Sequence, residues 1–253
     1  MSDTVIKSAA RVLEIFEYFS ERQTPASVGD IARNLGFPQS STSVLLKSLY
    51  SLGYLDYDPQ ARLYTPTMRI AFLGSWVQQR ALGGNNLISV LEQIHAETGE
   101  LVLLGMQNGV TVQYAHIVES THPVRMHLKI GTRRPITRAA VGRVLLSLHP
   151  DAEIKKILRR VNSEETVAAN RTKESDLLDE IEKIRAFGFA ETSGSMTPGG
   201  GVIATLLDIP EGPPMGVGVG APIERLEKNR DHIMKVLDKY RTQISVPFRA
   251  IAS

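Results

Sequence analysis

The sequence predicts an α+β fold in which a small, mainly helical N-terminal part precedes a larger part built on an antiparallel sheet. In the first 52 residues, apolar side chains recur three times at the spacing of an amphipathic helix. Further along, apolar runs are joined by hairpin signals, and helical segments are grouped between the hairpins instead of following every strand. That order favours an antiparallel layer over a doubly wound parallel sheet.

The composition restricts the class of protein. The chain has 253 residues, no cysteine and a formal net charge of +2. The lack of cysteine excludes disulfides, zinc–thiolate sites and a cysteine nucleophile. No apolar run approaches the roughly 20 residues of a membrane span, and the N-terminus has no apolar signal segment, so we expect a soluble, cytoplasmic protein. The near-neutral charge argues at first against a nucleic-acid partner.

The first two predicted helices are amphipathic. One covers about residues 8–20, where the apolar side chains fall on one face. The second covers residues 28–35 and begins after Ser27, a predicted N-cap residue whose capping box is completed by Asp30. The segment Gly36-Phe37-Pro38 ends it, because glycine tolerates a left-handed conformation and proline disfavours a helical residue before it.

The third predicted helix has two distinct faces. Leu45, Leu46, Leu49 and Leu52 form the expected buried stripe, and Gly53 ends the helix. The opposite face is polar and slender near its N-terminus, which suits entry into the major groove of DNA. Helix, short turn and helix together outline a helix-turn-helix. For this segment alone, a solvated surface helix is the alternative.

A β-hairpin is predicted directly after the third helix. Residues 54–57 and 62–65 alternate around the turn Asp58-Pro59-Gln60-Ala61. A hairpin in this position is a wing, and Arg62 beside its tip could reach a DNA phosphate. A generic surface hairpin is the alternative for this stretch alone, but the three preceding helices favour the wing.

Several short segments, in their order and spacing, resemble the IclR (isocitrate-lyase-regulator) family of transcriptional regulators over residues 7–250. The matching segments are Lys7-Ser8-Ala9-Ala10-Arg11-Val12-Leu13, Asp30-Ile31-Ala32 with Leu35-Gly36, Leu45-Leu46 with Leu49 and Gly53-Tyr54-Leu55, residues 131–135, Gly142 with Leu145-Leu146, and residues 217–225. The resemblance implies a winged helix-turn-helix DNA-binding domain at residues 1–66, a linker helix at 67–84 and a GAF-like effector-binding domain at 85–253.

The expected partner of the N-terminal domain is a double-stranded DNA operator. The residues expected to bind it are Ser27, Gln39, Ser40, Ser41, Ser43, Val44, Lys47 and Arg62. Relatives commonly have a basic residue where this chain has Val44, so we expect a methyl or shape contact instead of a bidentate arginine–guanine contact. Residues 1–80 hold eight Lys and Arg against seven Asp and Glu. Non-specific affinity should therefore be modest, and several DNA-binding domains would have to act together.

Residues 67–82 are predicted to form the linker helix, with apolar side chains on more than one face. Such a helix suits packing against both its own domain and a partner, and the resemblance also points to a homodimer or a dimer of dimers. Core packing within one chain is the alternative. The segment Gly83-Gly84-Asn85-Asn86 is the expected domain boundary.

The remaining chain is predicted to contain roughly six strands and several helices. The strands are residues 101–106, 110–118, 124–130, 189–192, 202–209 and 215–220, the first two joined by the turn Asn108-Gly109. The helices are residues 87–99, 139–148, 151–161, a segment around 177–184 that stops at Gly188, and a final helix from Pro222 through Ile244.

Nothing in the second part has the pattern of an enzyme active site. The segment Gly216-Val217-Gly218-Val219-Gly220-Ala221 resembles a dinucleotide fingerprint only superficially, because no βαβ unit follows it. Ser193 and Ser195 lie outside any Gly-x-Ser-x-Gly elbow. We expect no enzyme activity, no cofactor and no metal. A sensor that acts through protein partners is one alternative, and an enzyme of the GAF-like type is a remote one.

The resemblance implies an effector pocket built from a strand, the following helix, a loop and two late strands. Val202 stands where cysteine is frequent, and Gly218 and Gly220 replace two serines of relatives that bind small carboxylates. We therefore expect a roomier, less polar pocket for an organic acid larger than pyruvate, such as an aromatic acid. Its charge would be met by Arg134 or by serine hydroxyls. The expected effector-binding residues are Met126, Arg134, Ala140, Val141, Ser193, Ser195, Val202, Gly218 and Gly220.

The charge distribution supports an anionic effector weakly. Residues 125–160 hold ten Lys and Arg against two Asp and Glu, a net charge of +8. For residues 155–160, a solvated helical face balanced by acids elsewhere is the preferred interpretation. Effector binding is expected to change the relative placement of two DNA-binding domains through the linker helices. The resemblance implies repression of transcription more often than activation.

Overall fold

A computed structural model describes residues 6–82, 87–207, 209 and 213–243, and the chain divides into two compact units between Val77 and Gln78. The predicted α+β class is confirmed, because helices dominate the first unit and one antiparallel sheet with helices forms the second. The expected boundary at residues 83–86 lies outside the described residues. Within the described ranges, no helix is long and apolar enough to cross a membrane.

The first unit consists of helices around a small apolar core, with a two-stranded hairpin. Its elements are α1 (Lys7–Arg22), α2 (Val28–Leu35), α3 (Gln39–Ser51), β1 (Leu55–Asp58), β2 (Leu63–Pro66) and α4 (Met68–Leu82), the last of which extends past the division. The capping box of α2 is present, with Ser27 and Asp30 each accepting a hydrogen bond from the other's backbone N–H. Ile15, Ile31 and Leu46 are fully buried in the core.

The buried face of α3 differs from the predicted one at both ends. Thr42, Leu46 and Leu49 are buried, whereas Leu52 is 58% exposed. Thr42 lies four residues before Leu46 and therefore shares its face, and its hydroxyl donates to a backbone carbonyl in the preceding turn at 3.1 Å. Leu52 follows the last residue of α3 and lies in the turn to β1, beyond the helix face that packs on the core.

The second unit is a six-stranded antiparallel sheet with helices on both faces. Its strands are β3 (Leu101–Asn108), β4 (Thr111–Val118), β5 (Arg133–Pro135), β6 (Phe189–Ser193), β7 (Gly200–Leu207) and β8 (Met215–Pro222), in the spatial order β5-β4-β3-β8-β7-β6. Its helices are α5 (Leu87–Thr98), α6 (Ala140–Leu146), α7 (Asp151–Glu164), α8 (Glu174–Phe187), α9 (Ile223–Lys228) and α10 (Arg230–Gln243). One face packs against α6, α7 and α8, and the other against α5 and α10.

A close approach of α6 to the preceding segment depends on glycine. A Cβ on Gly142 would stand 2.3 Å from the carbonyl oxygen of Ile136, so any other residue would push the helix away from the backbone of that segment. The tight turn between β3 and β4 likewise contains Gly109, whose φ is +60°. This confirms the predicted hairpin at Asn108-Gly109.

The predicted strand at residues 124–130 is wrong. This segment is irregular, and the edge position beside β4 belongs to the short strand β5. The alternating apolar residues of this segment do not share one buried face, because Met126 is buried in the core while Val124 is 72% exposed. The chain turns at Gly131, whose φ is +81°, so only the residues after this turn pair with β4 as a strand.

The predicted final helix is divided in two. Asn229, between α9 and α10, adopts φ −106° and ψ 11°, outside the helical region. Asparagine favours such breaks because its side chain competes for backbone hydrogen bonds. Ile244, the last residue placed in this helix by its periodicity, lies outside the described residues.

Candidate DNA-binding and effector-binding sites

The exposed face of α3 carries four of the predicted DNA-binding residues. Gln39, Ser40, Val44 and Lys47 are exposed, and Ser43 is half-buried beside them. Ser40, Val44 and Lys47 follow the i, i+4, i+7 spacing, so they form one stripe along the helix. Val44 is 64% exposed at the middle of the stripe, where its methyl groups can contact the methyl group of a thymine.

Two of the predicted DNA-binding serines use their hydroxyl protons within the protein. The hydroxyl of Ser27 donates to Asp30 Oδ2 at 2.8 Å and accepts from the Asp30 N–H at 3.1 Å. The pKa of Asp30 is lowered by the hydrogen bonds that its carboxylate accepts from the Ser27 hydroxyl and from the Ser27 backbone N–H. The hydroxyl of Ser41 donates to the carbonyl oxygen of Pro38 at 2.9 Å. Since phosphates accept hydrogen bonds, both serines would have to break an internal bond to donate to DNA.

The wing places Arg62 at its tip. Asp58 Oδ1 accepts hydrogen bonds from the backbone N–H groups of Gln60 at 2.8 Å and Ala61 at 3.1 Å, which close the turn. Arg62 follows with a φ of +58° and is exposed. Within the described part of the chain, the side chains of Arg62 and Lys47 form no ion pair or hydrogen bond, so both cations are available to phosphates.

Three tyrosines join the wing to α3. The ring centroids of Tyr57 and Tyr64 are 4.6 Å apart, and that of Tyr50 is 6.3 Å from Tyr57. Tyr50 is 50% exposed and Tyr57 36% exposed, so both rings reach the surface. Helical spacing places Tyr50 on the outward face of α3, but the contact of the three rings was not predicted. The available signal was that Tyr57 and Tyr64 occupy opposite positions of the predicted hairpin.

One face of the sheet in the second unit carries most of the predicted effector-binding residues. Opposite residues of an antiparallel pair share a face, and the register places Val202 opposite Gly220. Val141 of α6 lies on this face, with its Cγ atoms 2.9 Å and 3.0 Å from the positions that a Cβ would take on Gly216 and Gly218. Ala140, at the first position of α6, is also buried. We call this surface the α6 face.

The expected enlargement of the pocket floor is not found at Gly218. Val202 Cγ1 and Val141 Cγ2 lie 2.9 Å and 3.0 Å from its Cβ position, so two branched side chains fill the space of a serine. Gly220 has more room, because the nearest atoms stand 3.4–3.5 Å from its Cβ position. The floor is apolar and close-packed.

Met126 covers one end of the α6 face. Its Sδ lies 2.9 Å from the Cβ position of Gly200 and 3.4 Å from that of Gly220. The irregular segment that carries Met126 is held by Arg225, whose Nη2 donates to the carbonyl oxygen of Val124 at 3.0 Å. Methionine side chains are flexible, so Met126 is the part of this wall that a ligand could displace most easily.

The structure separates Ser193 from the other predicted effector-binding residues. Ser193 pairs with Gly201, whose Cβ position faces Leu226 of α9 at 2.7 Å, on the side opposite α6. There Ser193 lines a cavity of about 160 Å³. Successive strand residues alternate between faces, so Thr192, opposite Val202, occupies the α6 face instead.

Ser195 contacts the segment before α6. Its hydroxyl donates to the carbonyl oxygen of Arg138 at 3.4 Å, and its own carbonyl oxygen accepts from Arg138 Nη2 at 2.5 Å. The guanidinium of Arg138 also lies 3.4 Å from Glu165. The loop between β6 and β7 is thereby tied to the residues that lead into α6.

Arg134 and Tyr114 lie near each other at the β4–β5 edge of the α6 face. Arg134 pairs with Val112, two residues before Tyr114, so the three side chains share a face. Tyr114 is 4% exposed, and burial raises its pKa to about 12 against a smaller opposing effect of the Arg134 charge. Arg134 is a predicted effector-binding residue, whereas Tyr114 was not predicted. The available signal was the two-residue spacing of Tyr114 from the apolar Val112.

Ion pairs neutralise most of the basic cluster at residues 125–160. The pairs are Arg125–Glu119, Arg138–Glu165, Arg143–Glu180, Lys155–Glu174, Lys156–Glu153 and Arg160–Glu164, with N–O distances from 2.6 to 3.9 Å. The cations of the cluster outside these pairs are Lys129, Arg133, Arg134 and Arg159, and of these four Arg134 is the predicted effector-binding residue. Among the described residues, no cluster of three or more His, Asp and Glu side chains could hold a metal ion.

Comparison with known proteins gives matches along most of the chain. A family model for the IclR helix-turn-helix domain matches residues 8–59, and one for the bacterial transcriptional regulator IclR C-terminal domain matches residues 85–246. The regulator KdgR of Dickeya chrysanthemi is 25% identical over 198 residues, which are 76% of this chain and 64% of KdgR. The regulator XynR of Escherichia coli is 27% identical over 192 residues, 74% of each chain.

Solved structures match both the whole chain and its second part. An IclR transcriptional regulator from Alicyclobacillus acidocaldarius has a TM-score of 0.67 at 20% identity, over 95% of this chain and 98% of that one. The effector domain of an IclR regulator from Acinetobacter sp. ADP1 has a TM-score of 0.59 at 31% identity, over 63% of this chain and 93% of that one. With both family models matched in the expected order, the chain belongs to the IclR family of bacterial transcriptional regulators.

Proposed function

We propose that this protein is a ligand-responsive DNA-binding regulator, a repressor of catabolic genes for an organic acid larger than pyruvate. The observation that carries the proposal is the exposed stripe of Ser40, Val44 and Lys47 on α3, together with Arg62 at the wing tip. Hydroxyl, methyl and cationic groups are those that contact base edges and phosphates. In this proposal residues 1–66 bind DNA, residues 67–84 form the linker and residues 85–253 bind the effector.

Dimerisation is the second part of the proposal. Met68, Phe72 and Leu73 of α4 are 66%, 67% and 57% exposed, and Leu13 of α1 is 62% exposed. Large exposed apolar side chains of this kind are typical of a protein–protein interface. Two DNA-binding domains per dimer also match the two half-sites of an operator. We therefore propose a homodimer or a dimer of dimers.

The lining of the α6 face favours an effector with an apolar body. Val141, Val202 and Met126 offer alkyl and thioether groups, whereas a two- or three-carbon oxo-acid depends on hydrogen bonds for nearly all its affinity. An aromatic or medium-chain acid gains about 25 cal/mol for each Å² of apolar surface that it buries. Because the floor is close-packed at Gly218, entry of such a ligand requires displacement of Met126.

Coupling between the two units is the proposed mechanism of regulation. Effector binding would change the relative placement of the two DNA-binding domains of a dimer and thereby weaken operator binding. Couplings of this kind are typically worth about 1–3 kcal/mol, which corresponds to a change in operator affinity of about 5- to 150-fold.

A footprint on the region upstream of its own gene, with and without a panel of organic acids, tests the proposal. Lys47→Ala and Arg62→Ala should each weaken binding and lower the slope of log affinity against log salt by about one unit. Lys156→Ala, which removes an exposed cation that pairs with Glu153 in the second unit, is the matched control. Unchanged affinity in both test variants refutes the placement of the DNA-binding surface, and no binding to any DNA favours a sensor that acts through protein partners.

A further inference from the structure

Arg134 and Tyr114 lack polar partners within the described part of the protein, although both lie on the α6 face. The half-buried guanidinium of Arg134 carries five N–H donors, and no backbone or side-chain acceptor of the described residues binds them. The hydroxyl of Tyr114, whose side chain is 4% exposed, has no hydrogen bond to another described residue and reaches solvent. Both groups can therefore donate to a ligand without breaking a hydrogen bond to the described protein.

A third unpartnered group lies in the same segment. The hydroxyl of Thr137 is fully buried and has no hydrogen-bond partner. It follows Arg134 by three residues, between β5 and α6. The polar groups without protein partners in and beside β4 and β5 contrast with the apolar, close-packed floor at Gly218.

The two strand residues have the chemistry of a carboxylate site. The planar fork of a guanidinium binds both oxygens of a carboxylate. Tyr114 stays protonated near neutral pH because burial raises its pKa to about 12, so its hydroxyl can donate a third hydrogen bond. No described Asp or Glu pairs with Arg134, and the apolar side chains of Val112 and Val141 border the site, which strengthens electrostatic attraction.

We infer that Arg134 and Tyr114 together bind the carboxylate of the effector at the β4–β5 edge, with the apolar body of the acid directed along the α6 face toward Met126. This inference rests on the proposed effector-binding role of the second unit. Val141 and Tyr114 both pack at the Cβ position of Gly105, and Met126 packs at that of Gly220. From Gly216, which pairs with Gly105, to Gly220 the strand spans about 13 Å. Val141 and Val202 fill the space above Gly218 between them, so the body of the acid must displace these side chains as well as Met126.

Calorimetry on the full chain with benzoate and hexanoate, each compared with its neutral amide, tests the inference. The wild type should bind each acid about tenfold or more tightly than its amide. Tyr114→Phe keeps the ring and removes the hydroxyl, and it should weaken acid binding about tenfold; Arg134→Gln should abolish the preference for the acid. Arg133→Gln is the matched control, because Arg133 is exposed and adjacent residues of a strand point to opposite faces.

DNA binding without any acid separates this inference from the proposed function. Gel shifts should show the same ligand-free DNA affinity in all three variants, and thermal unfolding should confirm that each is folded. Equal binding of acids and amides, a retained preference in both Tyr114→Phe and Arg134→Gln, or no binding of either acid by the wild type would each overturn the inference. Failure of the wild type to bind DNA would instead overturn the proposed function.

Discussion

Gly218 provides a direct test of the close packing beneath α6. A methyl group on residue 218 would stand 2.9 Å from Val202 Cγ1 and 3.0 Å from Val141 Cγ2. Both neighbours are β-branched, so they have few alternative rotamers with which to make room. Gly218→Ala should therefore lower the free energy of unfolding by about 1–3 kcal/mol, the usual cost of overpacking a core.

Gly220→Ala is the matched control on the same strand and the same face. The nearest atoms to its Cβ position belong to Leu101 and Met126 at 3.4 Å and to Val202 at 3.5 Å, which is ordinary contact distance. No loss of stability is expected. A gain of up to about 1 kcal/mol is the expected upper limit, because alanine restricts the unfolded chain more than glycine does.

A second substitution tests whether Val202 is the obstacle. Val202→Ala alone should cost about 2 kcal/mol through the cavity that it leaves. The double variant with Gly218→Ala should lose about 1 kcal/mol less stability than the two single variants together, since the new methyl group occupies the vacated space. Urea unfolding followed by circular dichroism measures all four variants. A Gly218→Ala protein as stable as the wild type would refute the close packing at this position and would indicate that the predicted pocket has free space there.

Three further substitutions test polar contacts. Ser27→Ala removes the hydroxyl hydrogen bond that contributes most to lowering the pKa of Asp30, and leaves the bond from the backbone N–H of residue 27. A depressed pKa contributes stability that is lost as the pH falls through it, so the deficit in melting temperature should shrink below the ordinary value of 3.8; a deficit independent of pH would contradict this. Thr137→Val replaces an unpaired buried hydroxyl and should raise stability in urea by up to about 1 kcal/mol, whereas a loss would show that the hydroxyl is satisfied. Glu100→Gln removes the carboxylate partner of Arg225 and should cost about 3 kcal/mol. Trypsin should then cut residues 119–132 faster, and unchanged cleavage would argue against Arg225 as the anchor of that segment.

Local chemistry explains why the first unit was predictable. The capping box of Ser27 and Asp30 and the turn at Asp58 each depend on residues a few positions apart. The same holds for the Asn108-Gly109 turn of the second unit. Errors appeared where a residue's surroundings come from distant parts of the chain. The helical period alone did not show that the core contacts of α3 stop before Leu52.

The sequence by itself determined the family, the order of the elements and the small, apolar character of the positions around Gly218. Only the tertiary structure decided whether these small residues leave an open pocket. Whether a missing side chain leaves a cavity depends on how closely other elements approach, and here Val141 and Val202 occupy the space. Likewise, strand register assigned Ser193 to the opposite face and brought Tyr114 near Arg134. Side-chain neighbours across a sheet are set by pairing between strands, which no local pattern specifies.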